Sequence, residues 1–121
     1  MTQVDGNDAM NIAAALNDVQ PGEPVSKVFV SNYSGYQYNN AERFGPIIFM
    51  TYGYVPLNDI GAIREKLTNF INQSQSNDYL VLSGHNLLCA LCAIIWKEKH
   101  GFVNILHYDK KGDGYLHYVI Q

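Results

Sequence analysis

Asp78-Tyr79-Leu80-Val81-Leu82-Ser83-Gly84-His85-Asn86 is the stretch whose reading decides the fold. Its first five residues, DYLVL, predict a strand. The turn 83–86 then leads into the most apolar segment of the chain. This segment predicts a helix over about 86–99, closed by Gly101 in the left-handed cap position. Strand, short polar turn and helix together make half of a βαβ unit.

The same alternation continues outward on both sides. Residues 27–32 (KVFVSN) predict a strand, 33–38 a polar aromatic loop, and 39–44 one helical turn stopped by Gly45-Pro46. Residues 47–51 (IIFMT) predict a second strand, with a chain turn over 53–56. A helix follows over about 58–72, because Ile60, Ile63, Leu67, Phe70 and Ile71 recur at helical spacing while Arg64, Glu65 and Lys66 lie mostly on the other side. Beyond the central stretch, 102–108 and 115–120 predict two strands around a hairpin loop, 109–114 (DKKGDG). The expectation is a single small α/β domain over 27–121. It has a mixed, mainly parallel β-sheet, flanking helices and a C-terminal β-hairpin.

Residues 1–26 read differently. They hold Asp5, Asp8, Asp18 and Glu23 and no lysine or arginine. Asp8 is placed to cap a short helix over 9–19, and 21–24 (PGEP) breaks the chain. An N-terminal helical appendage on a linker is expected. It is not a signal peptide, since it lacks a basic start and a compact apolar core.

Composition narrows the function classes. Charged residues are 16% of the 121, against about 25% in an average domain, and the net charge is −3. That balance argues against a DNA-binding protein, which wants a basic surface. The longest purely apolar run, ten residues over 87–96, is too short for a bilayer. Cys89 and Cys92, three apart inside an apolar helix, read as core packing rather than as a redox or zinc motif. His107 and His117 share strand parity across the hairpin and are expected to face each other; two histidines alone make no metal site. His100, at a helix C-terminus, reads as a charge complement. A soluble cytoplasmic protein, with no membrane association, no metal and no cofactor, is expected.

Candidate chemistry gathers where parallel strands end, because ligands of open α/β sheets bind there. The ends of the first three strands carry Ser31, Asn32 and Tyr33; Thr51 and Tyr52; and Ser83, Gly84, His85 and Asn86. A glycine turn at a helix start lets a ligand approach free amides, which suits an anion. The same residues also serve as ordinary cap and turn, so both readings stand. Tyr33, Tyr36, Tyr38, Phe44, Tyr52 and Tyr54 fall within 22 positions with Arg43 among them. Aromatic faces beside a guanidinium suit a nucleobase and a phosphate. The candidate ligand-binding residues are Asn32, Tyr33, Tyr36, Tyr38, Arg43, Ser83, Gly84, His85 and Asn86. No Ser/His/Asp set or carboxylate pair stands out, so no catalytic residue is assigned.

Two segments also carry a resemblance. Val28-Phe29-Val30-Ser31-Asn32, running through the tyrosine loop to Asn40-Ala41-Glu42-Arg43-Phe44-Gly45, is one. The central stretch, continued to Glu98-Lys99-His100-Gly101, is the other. Together they resemble the first family of phage Thoeris anti-defense proteins, small sponges that sequester the cyclic ADP-ribose isomer made by bacterial TIR proteins. The resemblance spans about residue 27 to the C-terminus. It implies binding of glycocyclic ADP-ribose without turnover in the cytoplasm of an infected bacterium, uptake of cyclic oligonucleotides, and a homo-oligomer with ligand pockets at subunit contacts. Two other classes compete. Viral ring nucleases also run a strand into a Gly-His pair at a helix start, as Gly84-His85 does, but the polar residues that follow there are absent from Asn86-Leu87-Leu88. A tyrosine-rich protein-interaction module is the third.

Overall fold

The computed structural model describes residues 25–121, and the expected leader helix and most of its linker lie outside them. Among the described residues five strands form one sheet: β1 (Val28–Val30), β2 (Ile47–Phe49), β3 (Tyr79–Val81), β4 (Val103–Asp109) and β5 (Gly114–Ile120). Their order is β2-β1-β3-β4-β5. β1 pairs in parallel with β2 and β3, β3 pairs in parallel with β4, and only the β4–β5 pair is antiparallel. The expected mixed, mainly parallel sheet with a C-terminal hairpin is therefore what the chain adopts.

Topology distributes the connections between two faces. The chain steps from β1 to β2 in one direction along the sheet, then from β2 past β1 to β3 and on to β4 in the other. Right-handed crossovers running in opposite directions lie on opposite faces. The first crossover is a 3-10 helix (Asn39–Phe44); the others are α1 (Ile60–Ile71) and α2 (Asn86–His100). The helical face buries Phe29 and Leu80 of the sheet against Leu67 and Ile71 of α1 and Leu88, Ile95 and Trp96 of α2. Phe29 meets Trp96 edge-on at 5.6 Å. The opposite face buries Val28, Val30, Val81, Leu106 and Tyr115 beneath Tyr38 and Ala41. Both faces of β1 are covered, so all three of its residues are buried, which explains its unbroken apolar run.

Local signals set the helix ends. Asp59 caps α1, its Oδ1 accepting from Ala62 N at 3.1 Å. α2 is capped by His85, whose Nδ1 accepts from Leu87 N at 3.0 Å, rather than by Ser83. Gly101 ends it at φ +83 and donates to Lys97 O, as expected. His100 departs from its expected role: its Nε2 meets Ser74 Oγ at 2.8 Å, and burial, with the Lys99 charge, holds its pKa below the ordinary histidine value. Both effects favour the neutral ring over the charge complement expected at the helix end.

The amino edge of the sheet is fastened by Asp78, which is fully buried. Its carboxylate accepts from Lys27 N and Gln75 N, each at 2.7 Å, and pairs with Lys27 Nζ at 3.3 Å. Asn104 donates to Asp78 O and accepts from His117 Nε2. The β4–β5 register pairs Leu106 with His117 and His107 with Leu116. His107 and His117 therefore point to opposite faces and do not meet, contrary to their expected pairing. Among the described residues no helix is long and apolar enough to cross a membrane.

Candidate functional site

The reversal of crossover direction places a switch point between β1 and β3, where open α/β sheets bind ligands at the carboxyl ends of strands. Here the two strand ends are stitched together by neutral groups. Ser31 Oγ accepts from Ser83 N at 2.7 Å and donates to Ser83 O at 2.5 Å. Tyr38 OH lies 2.9 Å from Ser83 Oγ and accepts from Ser34 N at 3.1 Å. The result is a rigid, uncharged floor.

Asn32 belongs to that floor. It is buried, and its Nδ2 donates to Thr51 Oγ1 at 2.9 Å and to Gly53 O at 2.8 Å, while Oδ1 accepts from Ser34 Oγ. Its carboxamide is committed to the fold. Gly84 sits at φ +103, and a Cβ there would stand 2.8 Å from Asn32 Cβ. The absent side chain thus makes room for Asn32, a protein neighbour rather than a ligand.

A cavity of about 560 Å³ opens beside this floor, within the size range of small-molecule sites. One wall is Tyr36, Gln37 and Tyr38 from the β1–β2 connection; Ser83 and Gly84 close its base; Tyr108 and Tyr115 from the hairpin form the other wall. His107 completes it, and among the described residues no lysine, arginine, aspartate or glutamate lines it. Burial, with Tyr38 and Tyr108 nearby, pushes the Tyr115 phenol up to about 12. The hydrogen bond from Tyr108 to Asp113 at 2.8 Å raises the Tyr108 phenol as well. Both remain protonated donors at neutral pH. A smaller cavity, about 270 Å³, lies on the helix side of the Asn32–Gly84 contact, with His85 and Tyr54 in its lining.

The expected site residues are only partly brought together. Tyr36, Tyr38, Ser83 and Gly84 share the larger cavity, while His85 borders the smaller one with Asn32. Asn86 is the first residue of α2 and exposed. Tyr33 is partly exposed in an aromatic group with Tyr38, Phe49 and Tyr52, at 5.1–6.1 Å. Arg43 stands apart. Its guanidinium lies 4.9 Å over the Phe44 ring, which packs on Tyr79 at the start of β3. That is the amino edge, the far end of the strands from Ser83. Tyr108, Tyr115 and His107 were not anticipated. The strand-end rule would have found His107 and Tyr108 had it been applied to the fourth strand; Tyr115 reaches the cavity only through hairpin pairing.

The chemistry offered is neutral hydrogen bonding and aromatic contact. Cys89 and Cys92 are free thiols, and burial raises both, Cys92 to about 12. No group of three or more His, Cys, Asp or Glu side chains among the described residues is placed to hold a metal ion. No curated protein and no solved structure matches the chain. The profile of the phage Pam3 gp32-like proteins matches residues 22–121, which takes in all of the described strands and helices and the two cavities described above. The chain belongs to the phage Pam3 gp32-like protein family.

Proposed function

We propose that this protein binds and sequesters, without turnover, a cyclic ADP-ribose isomer such as glycocyclic ADP-ribose, and so blocks Thoeris immunity in the cytoplasm of an infected bacterium. Cyclic oligonucleotides are the second ligand class of this reading. The observation that carries it is the neutral, tyrosine-walled cavity of about 560 Å³ at the strand ends. Phenols and a serine suit an adenine face and ribose hydroxyls, and aromatic stacking contributes about 1–3 kcal/mol per base. The diphosphate belongs outside this uncharged lining, toward the first amides of α2 and the hairpin lysines Lys110 and Lys111. The sequence resemblance and the phage family membership agree with the reading.

A ring nuclease has less support, because His85 Nδ1 is already engaged as the cap of α2 and, among the described residues, no acid stands with it in the smaller cavity. The reading includes a homo-oligomer. β5 is a sheet edge, and Leu116, Tyr118, Val119 and Ile120 on it are all about half exposed. Uncharged edge strands of this kind invite pairing with a second copy.

Calorimetry with cyclic ADP-ribose isomers and cyclic tri- and tetra-adenylate tests the proposal, followed by chromatography of the released ligand. Heat with intact ligand is expected. Cleaved ligand would establish the nuclease, and no heat with any of these compounds would end the reading. Light scattering at micromolar concentration checks the assembly: a mass of 13.6 kDa, unchanged by ligand, would exclude it.

A further inference from the structure

The two walls of the larger cavity come from segments far apart in sequence, and a small exposed cluster ties them together. Asn40, two residues beyond Tyr38, donates from Nδ2 to Asp113 O at 2.8 Å. Asp113 Oδ1 in turn accepts from Tyr108 OH at 2.8 Å. Asp113 has φ +50, so the hairpin turn holds a non-glycine residue in the left-handed region to present both of its oxygens. On one side of this cluster stands the wall of Tyr36 and Tyr38; on the other stand Tyr108 and Tyr115, whose rings meet edge-on at 5.5 Å.

We propose that Asn40, Asp113 and Tyr108 form a latch that fixes the width of the cavity and thereby sets the size of ligand it admits. The proposal rests on the ligand-binding reading above and names its selectivity device. Asp113 acts as a positioning residue: it orients the Tyr108 ring through one oxygen and holds the hairpin to the 3-10 helix through the other. Every member of the latch is exposed, so water competes for each bond and the hairpin tip can be released while Tyr115 remains packed in the core. Closed, the latch holds the phenols at a spacing for one small cyclic dinucleotide. Released, the tip 109–114 and the Tyr108 ring swing away from Asn40, while Tyr115 stays buried beneath Tyr38 and Ala41, and the mouth of the cavity opens for a larger ring.

The test pairs two variants with a rescue. Asn40→Ala with Asp113→Gly removes both side-chain arms, and glycine takes φ +50 without strain, so the turn itself persists. Asp113→Asn keeps an acceptor for Tyr108. Two probes are used, cyclic ADP-ribose and cyclic tri-adenylate. In the double variant, dissociation of cyclic ADP-ribose should quicken about tenfold while binding of cyclic tri-adenylate is held or improved; Asp113→Asn should behave as the parent. Amide hydrogen exchange of the free protein gives a second readout. Exchange at 109–114 should rise while that at 103–105 stays fixed. Equal exchange at both ends of the hairpin, or an unchanged ratio of affinities for the two probes, would overturn the latch. If the parent protein binds neither probe, the function reading fails, and the exchange comparison still decides whether the hairpin is latched.

Discussion

The two ends of the β1–β3 pair are built from opposite chemistry. At the amino edge a buried carboxylate, Asp78, gathers two backbone amides and the Lys27 ammonium, with Asn104 and His117 behind it. At the carboxyl edge the same strands are joined by Ser31, Ser83 and Tyr38, and Asn32 ties the end of β1 to the end of β2, all through neutral groups. A buried charge must be fully paired, so the amino edge is closed around Asp78. Hydroxyls and amides satisfy one another at lower cost, and a cavity can stand beside them. The difference puts a charged fastening at one edge and a neutral cavity at the other; under the proposed function, stability belongs to the first and recognition to the second.

Breaking the amino edge should have the largest effect. Asp78→Ala strands the Lys27 ammonium and two amides, and should lower stability by about 3–5 kcal/mol, read as a lower urea midpoint. Ligand affinity, measured where the variant is still folded, should hold. The reverse result, intact stability with lost binding, would invert the comparison. At the carboxyl edge, Tyr38→Phe removes the hydroxyl shared with Ser83 and Ser34. It should cost about 1 kcal/mol of stability and about tenfold in affinity by calorimetry.

Charge placement sharpens the comparison further. Arg43 stands at the amino edge and Arg64 pairs with Glu98 at 2.6 Å on the helical surface. The sequence alone favours Arg43 over Arg64 as the phosphate partner; its position in the fold makes the two alike. Arg43→Ala and Arg64→Ala should leave affinity unchanged, whereas replacing Lys110 and Lys111 by alanine should weaken a diphosphate ligand by about tenfold. A selective loss with Arg43→Ala would move the phosphate site back to the amino edge.

The smallest effect is a pH dependence. His100 has its folded pKa lowered by burial and by Lys99, so the unfolded chain binds the proton more readily. Its contribution to stability is therefore complete above the unfolded value of about 6.5 and declines as the pH falls below it. Melting temperatures from pH 8 to pH 5 should fall more for the parent than for His100→Gln. Parallel curves would show that the ring is not held neutral.

Local sequence alone determined the elements. The apolar runs of β1 and β3, the spacing of Ile63, Leu67 and Ile71 on α1, and the glycine that ends α2 are all short-range signals, and each element lies within a few residues of its expected place. The polar strand-end edge was legible for the same reason, since strand ends follow from strand positions. What only the tertiary structure decided depends on partners distant in the chain. Ser31 meets Ser83 across 52 positions, and the order β2-β1-β3 makes that meeting possible. Asn32 looked available to a ligand until Thr51 and Gly53 were placed beside it. Hairpin register put His107 and His117 on opposite faces, because a one-residue change in pairing exchanges every side chain between the two sides of a sheet. Arg43 moved to the far edge because the 3-10 helix carries the chain back along the strands. Periodicity fixes which face of an element is buried; which elements share an edge is set by long-range pairing, and the cavity exists only at that level.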